Sequence, residues 1–403
     1  MSGWTNIDGG ATAARGYRAA GVHAGIKKSA PDLALLVSDR DAGVAGVFTR
    51  NRVQGATVRL CRERLHRGRA RAVVINSGNA NACTGPRGDA DARRMAALAA
   101  ELLAVEEESV FVCSTGTIGV PLPMPAVESG IRTAVETLAP AGGADAARAI
   151  MTTDTVAKQV AVEIEAGGGT VRIGGMAKGA GMIEPDMATM LAFLTTDAAV
   201  APTALQESLA TAVGKSFNRI SVDGDQSCND TVLMLANGAS ETAELNVQHP
   251  DWPLFLDAVE HVARELAHAI VRDGEGATKF VTLTVRGAAS TADARQAARA
   301  VANSLLVKTA WYGEDPNWGR IIDAVGYSGA ELRQDAIDIA YDNLAIVRGG
   351  CAVPGYDPAP FRAILARDAF TVTVDLHAGT AADTVYTCDC SVDYVKINSE
   401  YTT

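Results

Sequence analysis

The residues best suited to chemistry lie mid-chain, where positions 178–191 read KGAGMIEPDMATML. Thr189 follows Ala188 and a stretch containing glycine and proline, which favour a bent backbone. A threonine hydroxyl is a weak nucleophile until a base removes its proton. It can attack the preceding carbonyl, and cleavage of the Ala188–Thr189 bond frees an α-amine (pKa about 7.7–8.0) to act as that base. On spacing alone, a turn at KGAG followed by a buried strand in ATMLAFLTTD explains the segment more simply.

The composition is that of an acidic globular protein, with 403 residues, a formal net charge of −11, 48% hydrophobic residues and 21% charged residues. This length predicts two domains or two intertwined halves. The richest basic stretch, CRERLHRGRAR, is short, so neither nucleic acid nor an anionic membrane surface is an expected partner. No window approaches the roughly 18 apolar residues of a membrane span, and the N-terminus lacks a secretory pattern. We therefore expect a cytoplasmic protein.

Metal-dependent and histidine-dependent chemistry is not indicated. The seven cysteines show no CxxC spacing, so no metal site is predicted. Cys388 and Cys390 stand two positions apart, which predicts free thiols on one face of a strand. His261 and His268 share one face of a predicted helix, and a partly exposed surface explains them better than catalysis. Because no serine stands in a GxSxG elbow, a Ser-His-Asp enzyme is not indicated either.

Helical and strand-like patterns alternate along the chain, which predicts a mixed α/β fold with helices layered on sheets. Helices are expected over 88–105, 202–217, 252–274 and 290–310. Asp89 or Asp91 is expected to cap the first, Gly274 to end the third, and Ser290 or Thr291 to cap the last. Strands are predicted in the runs ARAVVINSG, SVFVCSTG, TVRIGGMAKG, DTVLMLANG, FVTLTVRG, AIDIAYDN, FTVTVDLHAG and TVYTCDCSVDYVKIN.

Taken in order, the motifs resemble those of the ornithine acetyltransferase family, also called glutamate N-acetyltransferases. KGAGMIEPDMATML is similar, almost position for position, to the self-cleavage segment of that family. The further motifs that carry the resemblance are ARGYRAAGVHAGIK, AGVFTRN, INSGNANACTG, CSTGTIGVPLP, MTTDT, DGDQSCNDT, DGEGATKF, GEDPNWGRI and the terminal VKINSEYTT. The resemblance implies a layered α/β sandwich, similar to that of the self-processing DmpA-type aminopeptidases.

The resemblance also implies roles for individual residues. Thr189 would be the nucleophile and the first residue of a second chain, so that cleavage after Ala188 gives an α chain, 1–188, and a β chain, 189–403. Thr115 and Gly116 would form the oxyanion hole. The implied substrate contacts are Lys178, Thr152 (with Thr153 as an alternative), Glu275, Asn398 and Thr403.

The implied reaction moves an acetyl group from N-acetylornithine to glutamate through an ester on Thr189, releasing ornithine and then N-acetylglutamate. No cofactor is expected, and acetyl-CoA stays open as a second acetyl donor. A heterotetramer of two α and two β chains is the implied assembly. Anionic glutamate calls for local positive charge, for which Lys178, Lys308 and Arg320 are candidates, while Trp318 and Arg320 are equally well explained as structural residues.

Two other functions stay open at this point. A self-processing amidase or aminopeptidase would use water where this family uses glutamate, and an uncleaved binding protein would keep the scaffold without catalysis. Taken alone, Lys178 and Glu275 are also explained as surface charges. The chain departs from the family pattern at Leu305, where proline is usual, and at Gln226 and Cys228, where threonines are common, which leaves substrate preference open.

Overall fold

The computed structural model describes residues 3–184 and 190–400. The chain divides into two compact units, namely the residues up to Asn218 with Asp225–Ile270, and Arg219–Gly224 with the residues from Val271 onward. Helices and strands alternate in both units, so the predicted mixed α/β class is confirmed. Within the described ranges, no helix is both long enough and apolar enough to cross a membrane.

The first unit is built on one large sheet. Its strands are β1 (Thr5–Asn6), β2 (Tyr17–Val22), β3 (Leu33–Phe48), β4 (Arg69–Asn79), β5 (Val110–Thr117), β6 (Lys158–Ala166), β7 (Gly169–Lys178), β8 (Leu191–Thr196) and β9 (Thr231–Ala236). Its helices are α1 (Ala56–Leu65), α2 (Gly85–Leu103), α3 (Met124–Glu136), α4 (Gly143–Ala149), α5 (Pro202–Lys215) and α6 (Trp252–Arg272, within this unit up to Ile270). The strands lie in the order β1-β6-β7-β8-β9-β3-β4-β5, with β2 paired to β3.

The long strand β3 joins two layers of this sheet. Residues 33–37 pair with β4, residues 43–48 pair with β9, and the β3–β4 register shifts between the two segments. The inner faces of both layers share one apolar core, to which β4 contributes Val73 and Ile75. The opposite face of β4 packs under α2 and α3, and α6 lies against Gly175 of β7. The unit is therefore the helix–sheet–sheet–helix sandwich that the sequence predicts.

The second unit has a smaller sheet of its own. Its strands are β10 (Phe280–Ala288), β11 (Asp338–Tyr341), β12 (Leu344–Arg348), β13 (Cys351–Ala352), β14 (Ala369–Asp375) and β15 (Ala381–Cys388), in the order β13-β12-β11-β14-β10-β15. Its helices are α7 (Thr291–Asn303), α8 (Leu305–Tyr312), α9 (Trp318–Gly326), α10 (Ala359–Leu365) and α11 (Val392–Glu400). Helices α7 to α10 cover a core centred on Val281, Leu283 and Trp311. Single 3₁₀ turns are present at Gly10–Thr12, Glu107–Ser109, Phe217–Arg219 and Gln334–Ala336.

Two predicted helices differ from the observed ones. The cap predicted at Asp89 or Asp91 is wrong, because α2 already begins at Gly85 and both aspartates lie inside it. The helix predicted over 290–310 is two helices, since Ser304 has an extended backbone and its hydroxyl accepts the N–H of Val307 to start α8. Its predicted cap at Ser290 is confirmed by the bond that its hydroxyl accepts from the N–H of Asp293.

The last predicted strand is too long. Strand β15 ends at Cys388, because the Asp389 carboxylate leaves the ladder to accept the backbone N–H groups of Thr278 and Lys279. Ser391 then starts α11 by accepting the N–H of Asp393. Cys388 and Cys390 therefore do not share a strand face, although both are free thiols. Likewise α6 ends at Arg272, two residues before the predicted stop at Gly274.

Candidate active site

The predicted oxyanion pair lies where two parallel strands end. Strands β4 and β5 are continuous apolar runs buried on both faces, as expected of parallel strands between two packed layers. Thr115 and Gly116 directly precede the last residue of β5 and lie opposite Ser77 and Gly78 of β4. The carboxyl ends of parallel strands are a common place for ligand sites in α/β proteins.

Gly116 is required by its backbone conformation and by its neighbours. Its φ is +129°, a region that side-chain-bearing residues rarely adopt, and a Cβ there would lie 2.4 Å from the carbonyl carbon of Gly78. Gly78 in turn has φ +94° and lies under the side chain of Lys27. Strands β4 and β5 therefore approach each other at backbone contact distance beside Thr115, which fixes the backbone shape at this end of β5.

Lys178 is buried beside the oxyanion pair. It is the last residue of β7, is 4% exposed, and donates from Nζ to Oγ1 of Thr115 over 3.2 Å. An ammonium group has no acceptor, so Thr115 Oγ1 must be the acceptor in this pair, and its own hydrogen stays available to another oxygen. The alternative of a surface lysine is therefore wrong, and two predicted site residues are brought into direct contact.

Asp154 organises the surroundings of Lys178. Its Oδ1 accepts Lys158 Nζ at 2.7 Å and the Gly179 N–H at 2.7 Å, and its Oδ2 accepts the N–H of Thr152 at 3.0 Å. Burial alone raises the pKa of this carboxyl, but the nearby charges of Lys178 and Lys158 outweigh burial and lower it to about 2. One ionised carboxylate thus binds Lys158 and two backbone segments, and it lies near the charge of Lys178.

A third lysine adds to this charge. Burial lowers the pKa of Lys27, an effect opposed by the carboxylates of Asp32 and Asp154 and increased by Lys178. Its Nζ donates to the carbonyl of Met151 at 3.0 Å, directly before Thr152. The Asp32 carboxylate is occupied by the backbone N–H groups of residues 24–27, at 2.6–3.1 Å. The three lysines and two aspartates of this cluster carry a formal net charge of +1, which suits a carboxylate ligand.

The sequence analysis did not identify Asp154, Lys158 or Lys27 as site residues. Asp154 lies in the motif MTTDT, and Lys27 ends the motif ARGYRAAGVHAGIK. An acid at 154 and a lysine four residues later is the one available signal, and the pair is fully buried in the structure. Thr152 and Thr153 are both half-buried, and only the backbone of Thr152 is held by Asp154. The choice between these two threonines as a contact stays a prediction.

A second pair of predicted residues meets in the second unit. Glu275 is 9% exposed, so its interpretation as a surface carboxylate is wrong. Its Oε2 accepts Nδ2 of Asn398 over 2.6 Å, and Asn398 also donates to the carbonyl of Tyr394 in α11. Gly276, at φ +68°, lets α11 pack closely here, because a Cβ would lie 2.6 Å from the Tyr394 nitrogen. Residues far apart in sequence thus form one acid–amide pair.

The remaining basic candidates have structural partners. Lys308 is buried and donates to Oγ1 of Thr387 at 2.9 Å and to the carbonyl of Cys388. Arg320 donates to the carbonyl of Leu306 at 2.6 Å, and Trp318 packs on the core of the second unit. These contacts favour structural roles. His261 and His268 are half-buried on α6, as predicted, and the ring of His261 stacks on Trp4.

The predicted cleavage site itself, Ala188–Thr189, and the predicted contact Thr403 lie outside the described residues. The strands on either side of the cleavage site are described. Lys178 ends β7, Leu191 begins β8, and these two residues pair in an antiparallel ladder. The buried strand expected after the turn is confirmed, since all six residues of β8 are buried.

Sequence comparison decides the family. The ArgJ family model matches residues 18–403. The chain belongs to the ArgJ family. The arginine biosynthesis bifunctional protein ArgJ of Symbiobacterium thermophilum is 52% identical over 400 residues, covering 98% of this chain and 99% of that protein. The protein of the same name from Geobacter sulfurreducens is 52% identical over 390 residues, covering 96% and 99%.

A solved ornithine acetyltransferase from Mycobacterium tuberculosis, in complex with ornithine, matches with 46% identity and a TM-score of 0.42, covering 45% of this chain and 98% of that one. The predicted resemblance to this family, and the prediction of an acyltransferase enzyme, are confirmed by the full-length relatives. Leu305, where the family usually has proline, is the exposed first residue of α8, a helix position that tolerates proline well.

The pairing of Asp154 predicts that the protein loses stability at low pH. Its folded-state pKa of about 2 lies below the ordinary value of 3.8, so its pairing stabilises the protein fully above that ordinary value. The contribution, about 2 kcal/mol, is expected to fall to about half by pH 3 and to vanish below pH 2. Urea unfolding should give wild type a larger free energy of unfolding than Asp154→Asn at pH 7, and this difference should be smaller at pH 3. An equal difference in the free energy of unfolding at both pH values contradicts the pairing.

Proposed function

We propose that this protein transfers the acetyl group of N-acetylornithine to glutamate, in arginine biosynthesis, after cutting itself between Ala188 and Thr189. Membership of the ArgJ family supports the reaction. The observation that carries the proposal is the contact of Thr115, which precedes Gly116, with buried Lys178, the last residue of the strand that precedes Thr189 in the chain. Cytoplasmic location, activity without a cofactor, and a tetramer of two chains of each kind belong to the same proposal.

The first step is self-cleavage. The hydroxyl of Thr189 attacks the carbonyl carbon of Ala188, and the resulting oxyanion accepts hydrogen bonds from the Thr115 hydroxyl and the Gly116 N–H. The C–N bond breaks as the nitrogen takes up a proton, leaving an ester between Ala188 and the threonine oxygen. Water hydrolyses this ester, giving a chain that ends at Ala188 and a chain that begins with a free amine at Thr189.

The transfer then uses the new amine as a base. It takes the proton of the Thr189 hydroxyl, whose oxygen attacks the acetyl carbonyl of N-acetylornithine. The same donors hold the oxyanion, and the C–N bond breaks as ornithine leaves with a proton. The amine of glutamate next attacks the acetyl ester, releasing N-acetylglutamate and restoring the hydroxyl. Because ornithine leaves before glutamate reacts, ping-pong kinetics follow.

The charges of the side chains proposed as substrate contacts suit these substrates. Both ornithine and glutamate carry an α-carboxylate, which suits the ammonium group of Lys178. Glu275, held by Asn398, offers a carboxylate to the cationic side chain of ornithine. Thr152 and Thr403 are proposed as further contacts. The word bifunctional in the names of the relatives is consistent with a second donor, acetyl-CoA, for direct synthesis of N-acetylglutamate.

The division into chains 1–188 and 189–403 is compatible with a stable product. Strand β7 belongs to the first chain and β8 to the second, and they pair from Ile173 with Thr196 to Lys178 with Leu191. Strand β8 also pairs in parallel with β9. The cut chains should therefore stay together until a denaturant separates the sheet.

The proposed reaction is tested by the acceptor. Purified protein given N-acetylornithine should release ornithine continuously only when glutamate is present, and N-acetylglutamate should form in equal amount. In the absence of glutamate, release should stop after about one ornithine per active site, because the acetyl ester accumulates. Continuous release without glutamate indicates the amidase instead, and ornithine binding with no release indicates a binding protein. Both outcomes contradict the proposal.

A further inference from the structure

The dipeptide Asn229–Asp230 lies directly before β9 and contacts the residues that precede Thr115 and follow Thr189 in the chain. Thr231, the first residue of β9, pairs with Leu191 of β8, and its N–H donates to the carbonyl of Met190 at 3.2 Å. Both residues of the dipeptide are buried, at 4% and 2% exposure. Polar side chains buried to this extent need hydrogen-bond partners, because an unpaired buried polar group costs about 1–3 kcal/mol.

Asn229 holds the strand that carries the oxyanion pair. Its Nδ2 donates to the carbonyl of Ser114 over 2.7 Å, directly before Thr115, and also to the carbonyl of Ala80 in the loop after β4. Gly55 makes room for this side chain, since a Cβ at that position would lie 2.0 Å from Asn229 Oδ1. Any residue larger than glycine at 55 would therefore push the amide away from both carbonyls.

Asp230 holds the strand that follows the proposed nucleophile. Its carboxyl accepts the backbone N–H of Met190, the residue directly after Thr189. The backbone carbonyl of Asp230 accepts the N–H of Thr49, the residue directly after β3, at 3.0 Å. Among the described residues, Oδ2 of Asp230 is buried without a hydrogen-bond partner. Burial raises the pKa of this carboxyl well above its usual value, which favours its neutral form.

We propose that Asn229 and Asp230 are positioning residues that together set the distance between the oxyanion pair and Met190, the residue that follows the proposed nucleophile. Asn229 fixes the backbone before Thr115, and Asp230 fixes the backbone after Thr189. The inference rests on the proposed function, because it takes Thr189 as the nucleophile.

The proposal requires an acceptor at 230 and does not require a charge. Asp230→Asn keeps a carbonyl oxygen for Met190 and should cleave itself and transfer acetyl groups within a few-fold of wild type. Asp230→Leu keeps the branching at Cγ without an acceptor and should slow both steps by about 100-fold, the effect expected of a displacement of about 1 Å. Because Asp230 acts on the nucleophile strand, kcat should fall while KM for N-acetylornithine stays unchanged.

Two further arms keep the test decisive. Hydrogen–deuterium exchange at the Met190 amide should be slow in wild type and in Asp230→Asn, and fast in Asp230→Leu. Asn229→Asp replaces the donor to Ser114 by an oxygen and should lower kcat as Asp230→Leu does. The matched control is Asp91→Leu, because Asp91 in α2 also has a buried carboxyl oxygen without a hydrogen-bond partner among the described residues. It should leave cleavage and kcat unchanged.

The outcomes separate this inference from the proposed function. Wild-type speed in Asp230→Leu, or rapid Met190 exchange in Asp230→Asn, overturns the positioning role. So does an Asp230→Asn enzyme as slow as the leucine variant, since the role then depends on the proton of the carboxyl. If Asp230→Leu does not fold, Asp230→Asn and Asn229→Asp still decide. A wild-type protein that neither cleaves itself nor transfers acetyl groups defeats the proposed function instead.

Discussion

Replacing Thr189 by alanine should leave the purified chain intact at 403 residues and abolish acetyl transfer. The substitution removes the one oxygen that is proposed to attack both Ala188 and the acetyl group. Loss of a covalent nucleophile costs about 10⁶-fold in kcat in a well-studied protease, so no turnover above background is expected. Denaturing electrophoresis and an ornithine-release assay on the same sample measure both effects.

Thr189→Ser is the matched control for this experiment. Serine keeps the hydroxyl, so the variant should still give fragments of 188 and 215 residues and should still transfer acetyl groups, more slowly than wild type. Activity in Thr189→Ala, or cleavage of that variant at the same bond, rules out this residue as the nucleophile. An intact and inactive serine variant would show that more than the hydroxyl is required.

Thr115→Val should show the second largest effect. Valine has nearly the same shape as threonine but no hydroxyl, so the oxyanion loses one of its two proposed donors. Removing one such donor costs about 10²–10³-fold in kcat, or about 2.7–4 kcal/mol. Because Thr115 Oγ1 accepts from Lys178, its own hydrogen can only serve another oxygen, which is why a large effect is expected from a single hydroxyl.

The oxyanion role also predicts which steps change together. Cleavage and acetyl transfer both pass through a tetrahedral oxyanion, so Thr115→Val should slow them in parallel, with KM for N-acetylornithine little changed. Thr115→Ser keeps the hydroxyl and should stay within about tenfold of wild type, a loss of about 1.4 kcal/mol. If valine slows transfer but leaves self-cleavage untouched, Thr115 is not a shared oxyanion donor. Equal defects in valine and serine variants would point to packing.

Much of the fold could be predicted from sequence because burial leaves a clear pattern. The runs AVVINSG and FVCSTG are β4 and β5, and TVLMLA is β9, since strands buried on both faces read as unbroken apolar stretches. The residue pattern did not predict the ends of elements where local hydrogen bonds determine the backbone conformation. Ser304 divides one apparent helix in two, and Asp389 ends a strand that still reads as alternating.

The candidate site could be predicted only in part, and from family resemblance instead of burial pattern. The resemblance pointed to Thr115, Gly116 and Lys178. It could not show that Lys178 is buried against Thr115, because the two residues lie 63 positions apart in the chain. The roles of Asp154 and Asp230 can be recognised only from the groups that their carboxyls bind in the structure. Their partners, Gly179 and Met190, are bound through backbone N–H groups, which leave no trace in residue type.

In the proposed reaction, Thr189 becomes both the first residue of the second chain and the carrier of the acetyl group. The most direct test is the intact mass of wild-type protein, quenched in acid during reaction with N-acetylornithine in the absence of glutamate. We predict one fragment of 188 residues and one of 215 residues, the second carrying a single acetyl group that disappears when glutamate is added before the quench. A fully active enzyme whose mass is that of the uncut chain, or whose 215-residue fragment never carries acetyl, would contradict the account.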